Sequence, residues 1–116
     1  MPSIAHLTEE IRRFADERDW DRFHSPKNLS MALAIEASEI MEIFQWLTEE
    51  QSRNLPPEKL AELEDELGDV AIYLIRLADK LGIELLAAAE AKFAVNLKRY
   101  PADKVRGSAK KYTEYD

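Results

Sequence analysis

Four carboxylates stand out in this sequence by where they sit. Glu36 falls on the helical line of Leu29, Leu33, Ile40 and Ile43, whose steps of four and three mark a core-facing stripe. An unpaired carboxylate on such a stripe is costly, so it must be neutralised, paired or bound to a cation. Glu39 stands one helical turn on, close enough for the two charges to repel. The arrangement recurs further along the chain, where Glu66 and Asp69 share the same spacing and Glu66 lies beside Leu63, Leu67 and Val70. If the two helices pack antiparallel, the two pairs converge. They then offer four hard oxygen donors suited to Mg²⁺, with Mn²⁺ as the alternative. Waters and substrate phosphates would complete the shell, or one carboxylate would activate an attacking water.

Two other accounts compete. Acidic pairs at helical spacing usually mark a solvated face, and Glu9, Glu10, Glu49, Glu50, Glu58 and Glu84 need no other explanation. A di-iron carboxylate bundle would want Glu-x-x-His on two helices, whereas the residues three after Glu36 and Glu66 are Glu39 and Asp69. The two histidines, His6 and His24, lie outside both pairs, so all-oxygen ligation favours magnesium.

The elements that must position these groups are helical. Ala, Leu, Glu and Lys dominate, and the chain has three glycines. Four segments are expected. The first covers about residues 8–18, with Leu7, Ile11 and Phe14 on one face. Ser25-Pro26 reads as an N-cap followed by proline at the first helical position, opening a second segment to about Leu47. After Pro56-Pro57, a third runs over about residues 58–81. There Leu60, Leu63, Leu67, Val70, Leu74, Leu77 and Leu81 form an unbroken seam, and Gly82 stands where a cap glycine belongs. The fourth covers about residues 83–100 and ends at Pro101. Long amphipathic helices with short connections give an all-α four-helix bundle over residues 1–101. Residues 102–116 read as a basic mobile tail. The leucine seam is also suited to a partner subunit.

Composition bounds the partners. The 116 residues fit one domain, and 46% apolar with 34% charged residues is ordinary for a globular protein. A net charge of −7 excludes a broad basic footprint for duplex nucleic acid. The absence of cysteine removes disulfide and thiolate chemistry and fits a reducing cytoplasm. No apolar run approaches membrane-spanning length and no signal pattern opens the chain. A soluble cytoplasmic protein is therefore expected.

Around the acidic groups lie Trp20 and Trp46, which read either as core anchors or as stacking surfaces for a nucleobase. Tyr73 follows Asp69 by one turn. Lys92 and Asn96, with Lys98 and Arg99, form a local basic patch, read either as a solvated helix end or as a triphosphate site. Lys110, Lys111 and Tyr112 in the tail are placed to close over the same phosphates.

Glu36-Ala37-Ser38-Glu39 followed by Glu66-Leu67-Gly68-Asp69 resembles the ExxE…ExxD signature of the MazG-like all-α NTP pyrophosphohydrolases. Flanking blocks resemble the deoxycytidine triphosphate pyrophosphatase branch. They are Phe14-Ala15 with Glu17-Arg18-Asp19-Trp20, Phe23-His24, Asn28-Leu29, Phe44-Gln45-Trp46, Tyr73-Leu74, Asn96 with Arg99-Tyr100-Pro101, and Lys111-Tyr112-Thr113-Glu114. The resemblance implies conversion of a dNTP, with dCTP or a modified dCTP preferred, to dNMP and pyrophosphate, in the housecleaning of nucleotide pools. It implies Mg²⁺ on Glu36, Glu39, Glu66 and Asp69, which are the catalytic set. It implies a base pocket with Trp20 and Trp46, and a substrate site lined by Tyr73, Lys92 and Asn96. It also implies a homo-oligomer, either a dimer or a dimer-of-dimers tetramer. One position departs: Ile11 stands where the animal deoxycytidine enzymes carry a base-contacting His, so the resemblance carries reaction type further than base identity. A dUTPase-like hydrolase on the same scaffold and a non-enzymatic helical interaction module are the alternative readings.

Overall fold

The computed structural model describes residues 2–108, and within them every regular element is helical. The helix α1 spans Ile4–Glu17 and begins a turn earlier than its apolar face suggests, because the Ser3 side chain accepts the His6 N–H at 3.0 Å. It ends in a Schellman motif: Trp20 N–H reaches the Ala15 carbonyl at 2.9 Å and Asp19 N–H the Asp16 carbonyl at 3.1 Å. Asp19 takes the left-handed conformation there, with φ 55°. A single 3₁₀ turn, Asp21–Phe23, follows.

The helix α2, Pro26–Phe44, starts as expected, with Ser25 accepting the Asn28 N–H at 3.1 Å. It stops three residues before Leu47, leaving Trp46 in a turn closed by Leu47 N–H to the Phe44 carbonyl at 2.9 Å. The break before the next long helix holds an unanticipated short helix, α3, Glu49–Ser52. A reciprocal capping box builds it: Gln51 N–H to Thr48 Oγ1 at 3.1 Å and Thr48 N–H to Gln51 Oε1 at 3.0 Å. The helix α4, Pro57–Lys80, runs 24 residues without a break. Gly82, at φ 65°, closes it in a second Schellman motif, with Ile83 N–H on the Ala78 carbonyl at 2.9 Å.

The chain divides into two compact units between Ile83 and Glu84. The second unit contains α5, Leu85–Arg99, capped by Glu84, and α6, Ala102–Val105, a single helical turn at the start of the segment expected as a tail. Expectations for Lys110, Lys111 and Tyr112 lie outside the described residues.

In the first unit α4 packs on α2 and α1. The core is small: Ala15 from α1, Leu29 and Ile43 from α2, and Ile75 and Ala78 from α4. Truncating Leu29 to Ala would cost about 3 kcal/mol through lost transfer energy and the cavity left behind. The leucine seam of α4 resolves into two lines of heptad spacing. Leu63, Val70 and Leu77 are half-buried, while Leu60, Leu67, Leu74 and Leu81 are exposed.

A knot of opposite charges fastens the α1–α2 connection to the C-terminal end of α4. Arg76, with 3% of its surface exposed, donates from Nε to His24 Nδ1 at 3.1 Å and from Nη2 to Asp21 Oδ1 at 2.7 Å. It also pairs with Asp79 at 3.5 Å. Lys80 Nζ donates to the same Asp21 oxygen at 2.7 Å. Arg12 on α1 grips Asp79 with two bonds, of 3.0 and 2.6 Å. These partners hold both carboxyls below the usual range, Asp79 mainly through the Arg12 hydrogen bond and Asp21 mainly through that of Lys80. A guanidinium has no acceptor, so His24 must be neutral with its lone pair on Nδ1. Burial and then the adjacent Arg76 charge push the imidazole down accordingly.

Candidate functional site

The knot fixes the direction of packing. Residues 21–24, just before α2, meet residues 76–80 of α4, so α2 and α4 run antiparallel. That geometry carries the midpoints of the two helices past each other, and the midpoints hold the acidic pairs. Carboxylate oxygens of Glu36, Glu39 and Glu66 lie within 4.8 Å of one another. Asp65, Glu66 and Asp69 form a second such group, so Glu66 belongs to both.

The electrostatics differ from those of a solvated acidic face. Glu36, Glu39, Glu66 and Asp69 are all half-buried. Glu36 Oε2 and Glu66 Oε2 are buried with no hydrogen-bond partner among the described residues. Burial, followed by the neighbouring Glu39 and Glu36 carboxylates, pushes Glu66 up to about 7. Burial also raises Glu36, with Glu39 and Asp69 adding to the rise and Glu66 opposing it. Protons are one way to relieve this repulsion, and a divalent cation is the other. The donor set suits a hard ion: all oxygen, with two lone-pair-bearing atoms that no described residue satisfies. The four acids therefore fit a divalent metal, with Asp65 at the exposed margin of the second group. In the sequence Asp65 stands within a dense acidic run with Glu62, Glu64 and Glu66, which hides it. Its spacing of four from Asp69 is the signal that could have singled it out.

Tyr73 is half-buried on α4, one turn beyond Asp69. Trp46 is 86% exposed and Trp20 45% exposed, so neither is a core anchor of this chain. Trp20 lies on the α1–α2 connection, with its ring edge-on to Phe14 at 5.6 Å and to His24 at 6.4 Å. Lys92 and Asn96 sit one turn apart on α5, within the second unit. Lys111 lies outside the described residues. A cleft of about 560 Å³ opens between α1 and α4, walled by Ile11, Phe14 and Ile72 and rimmed by Arg13, Glu17 and Arg18. Arg18 stacks over the Phe14 ring at 3.7 Å.

Residues 31–115 match the MazG-like family. Among curated proteins the chain is 45% identical to dCTP pyrophosphatase 1 of Homo sapiens and 46% identical to that of Mus musculus, each match covering 91% of this chain. The chain spans 66% of the length of these relatives, just under two thirds. Among solved structures, a pyrophosphatase from Archaeoglobus fulgidus superposes with a TM-score of 0.81 at 34% identity, covering 87% of this chain and 94% of that one.

Proposed function

The chain belongs to the MazG-like family, and from that premise we propose that it is a Mg²⁺-dependent nucleoside triphosphate pyrophosphohydrolase. Its substrate is a dNTP, with dCTP or a modified dCTP preferred. The products are dNMP and pyrophosphate, and the role is housecleaning of nucleotide pools. One observation carries this reading: the convergence of Glu36, Glu39 and Glu66, with buried, unpartnered oxygens on two of them. The similarity to proteins named dCTP pyrophosphatase 1 supports the choice of substrate.

Glu36, Glu39, Glu66 and Asp69 would hold the metal, which when bound neutralises phosphate charge and polarises the reacting phosphoryl group. The acids stand on two packed helices, so their spacing is set before substrate arrives. One carboxylate takes the proton of the attacking water. The bond between the α-phosphate and the pyrophosphate group breaks, and pyrophosphate leaves. Trp20 and Trp46, both exposed, offer faces to the base. The exposed heptad line of Leu60, Leu67, Leu74 and Leu81 supports assembly with further copies of this chain.

Incubation of the purified protein with Mg²⁺ and dCTP, 5-methyl-dCTP, dUTP or dTTP tests this. Pyrophosphate and dNMP should appear in equal amounts, and release should stop with EDTA and in Glu36→Ala. Orthophosphate as the sole product, or indifference to EDTA, would sink the reading. Fastest turnover of dUTP would move the substrate to the dUTPase-like alternative.

A further inference from the structure

The charged knot stands apart from the carboxylates, and the proposed chemistry makes no use of it. It nonetheless joins the two parts of the site that must keep a fixed separation. Asp69, Tyr73 and Arg76 lie on one face of α4 at steps of four and three. From Asp69 to Arg76 is about 10 Å along the helix axis at roughly 1.5 Å per residue. Beyond Arg76, the chain of contact runs to His24 and from His24 to the Trp20 ring.

We propose that Arg76 is a positioning residue for the nucleotide, holding the Trp20-bearing turn at a fixed station on the helix that carries Glu66 and Asp69. The proposal rests on the reading of Trp20 as a base contact. Arg76 directs three separate nitrogens at three acceptors: Nε at His24, Nη2 at Asp21 and Nη1 at Asp79. A planar group held at three points fixes both direction and distance, which an apolar side chain of the same volume would not. Buried ion pairs are commonly no more stabilising than well-packed hydrocarbon, so stability alone is a weak reason for burying this one. The consequence for Trp20 is direct. Phe14 on α1 and His24 both stand against its ring in T-shaped contacts, and His24 is set by Arg76. The remaining surface of Trp20 stays open to a ligand.

The test is steady-state kinetics with Mg²⁺ and the triphosphate turned over fastest in the panel above. Arg76→Met should raise KM by about tenfold while kcat stays within about twofold, the pattern of lost binding rather than lost chemistry. Asp21→Asn, at an exposed position of the same knot, should shift KM in the same direction if Arg76→Met does not fold. Trp20→Ala should raise KM, and adding either knot substitution to it should raise KM little further. In a Trp46→Phe background, acrylamide should quench Trp20 fluorescence more strongly once Arg76 is replaced. If Trp20→Ala raises KM but the knot substitutions do not, positioning is overturned and the base contact stands. If Trp20→Ala itself leaves KM unchanged, the base contact fails and the positioning role fails with it. Fully additive KM effects, or unchanged quenching, would also overturn positioning.

Discussion

The helix α4 carries two charged regions that solve opposite problems. Around Arg76 the charges are of both signs and each cation has an acceptor: Arg12 on Asp79, Arg76 on Asp21 and His24, and Lys80 on Asp21. Around Glu66 the clustered carboxylates are of one sign, and two buried oxygens, on Glu36 and Glu66, have no hydrogen-bond partner among the described residues. The first region is complete as it stands. The second has a deficit of positive charge that only protons or a cation can fill. Both are partly shielded from water, so burial alone does not distinguish a site from a scaffold. Uncompensated burial does.

The sharpest way to break this contrast is to remove a carboxylate. Glu66→Gln should lower pyrophosphate release by about a thousandfold or more, since it strips a proposed metal ligand shared by both acidic groups. The same variant should be at least as heat-stable as the parent in EDTA, because it removes repulsion. A fall in stability together with unchanged turnover would place Glu66 in the scaffold. Asp79→Ala should act on stability instead, with kcat kept within about twofold. It leaves the buried Arg76 guanidinium under-compensated and frees Arg12, so unfolding in urea should come about 3 kcal/mol earlier.

The two regions should also respond to pH in opposite senses. Glu66 has an ordinary value of 4.5 and a folded value of about 7. Its protonated form therefore stabilises the metal-free protein fully below 4.5, and that contribution is lost as pH rises through about 7. The thermal advantage of Glu66→Gln over the parent in EDTA should accordingly grow across that interval. Asp79 is lowered from 3.8, so its contribution is present above that value and lost as pH falls through the folded one. The penalty of Asp79→Asn should thus shrink in acid. Parallel curves for the two variants would erase the distinction.

The smallest effects concern the helix ends that flank the knot. Gly82→Ala should cost about 1 kcal/mol, because Gly82 sits at φ 65° with open space where a Cβ would go, leaving backbone strain as the only penalty. Asp19→Gly, at φ 55°, should stabilise by about 0.5 kcal/mol for the complementary reason. Chemical denaturation of the pair would measure both.

These two ends also illustrate what the sequence made visible. Gly82 announced its cap because glycine alone takes that conformation without strain, whereas Asp19 did the same task with a residue that gives no such signal. Glu36 was legible because it interrupts an apolar stripe. Ser25-Pro26 was legible because both residues suit a helix start. The short helix α3 escaped, although Thr48 and Gln51 carry the capping-box spacing. The leucine seam was visible as a pattern, but its division into a half-buried and an exposed line depends on which partner helix is present. Arg76 was illegible for a different reason. It reads as a surface residue between Leu74 and Leu77, and its partners His24 and Asp21 are 52 and 55 residues away. Periodicity reports which face is apolar. It does not report a charge buried by partners from another element.

The unbroken α4 has a bearing on how such a chain can change over generations. Inserting or deleting one residue between Asp69 and Arg76 would rotate everything beyond it by about 100° around the helix axis. Arg76 would then miss Asp21 and His24 even with every other letter retained. Natural relatives are therefore expected to differ in letters within this stretch but not in number. Gains and losses of residues should collect in the connections at 45–48 and 53–56, where no rod transmits the error. Counting gaps along a set of such sequences would read out that rigidity.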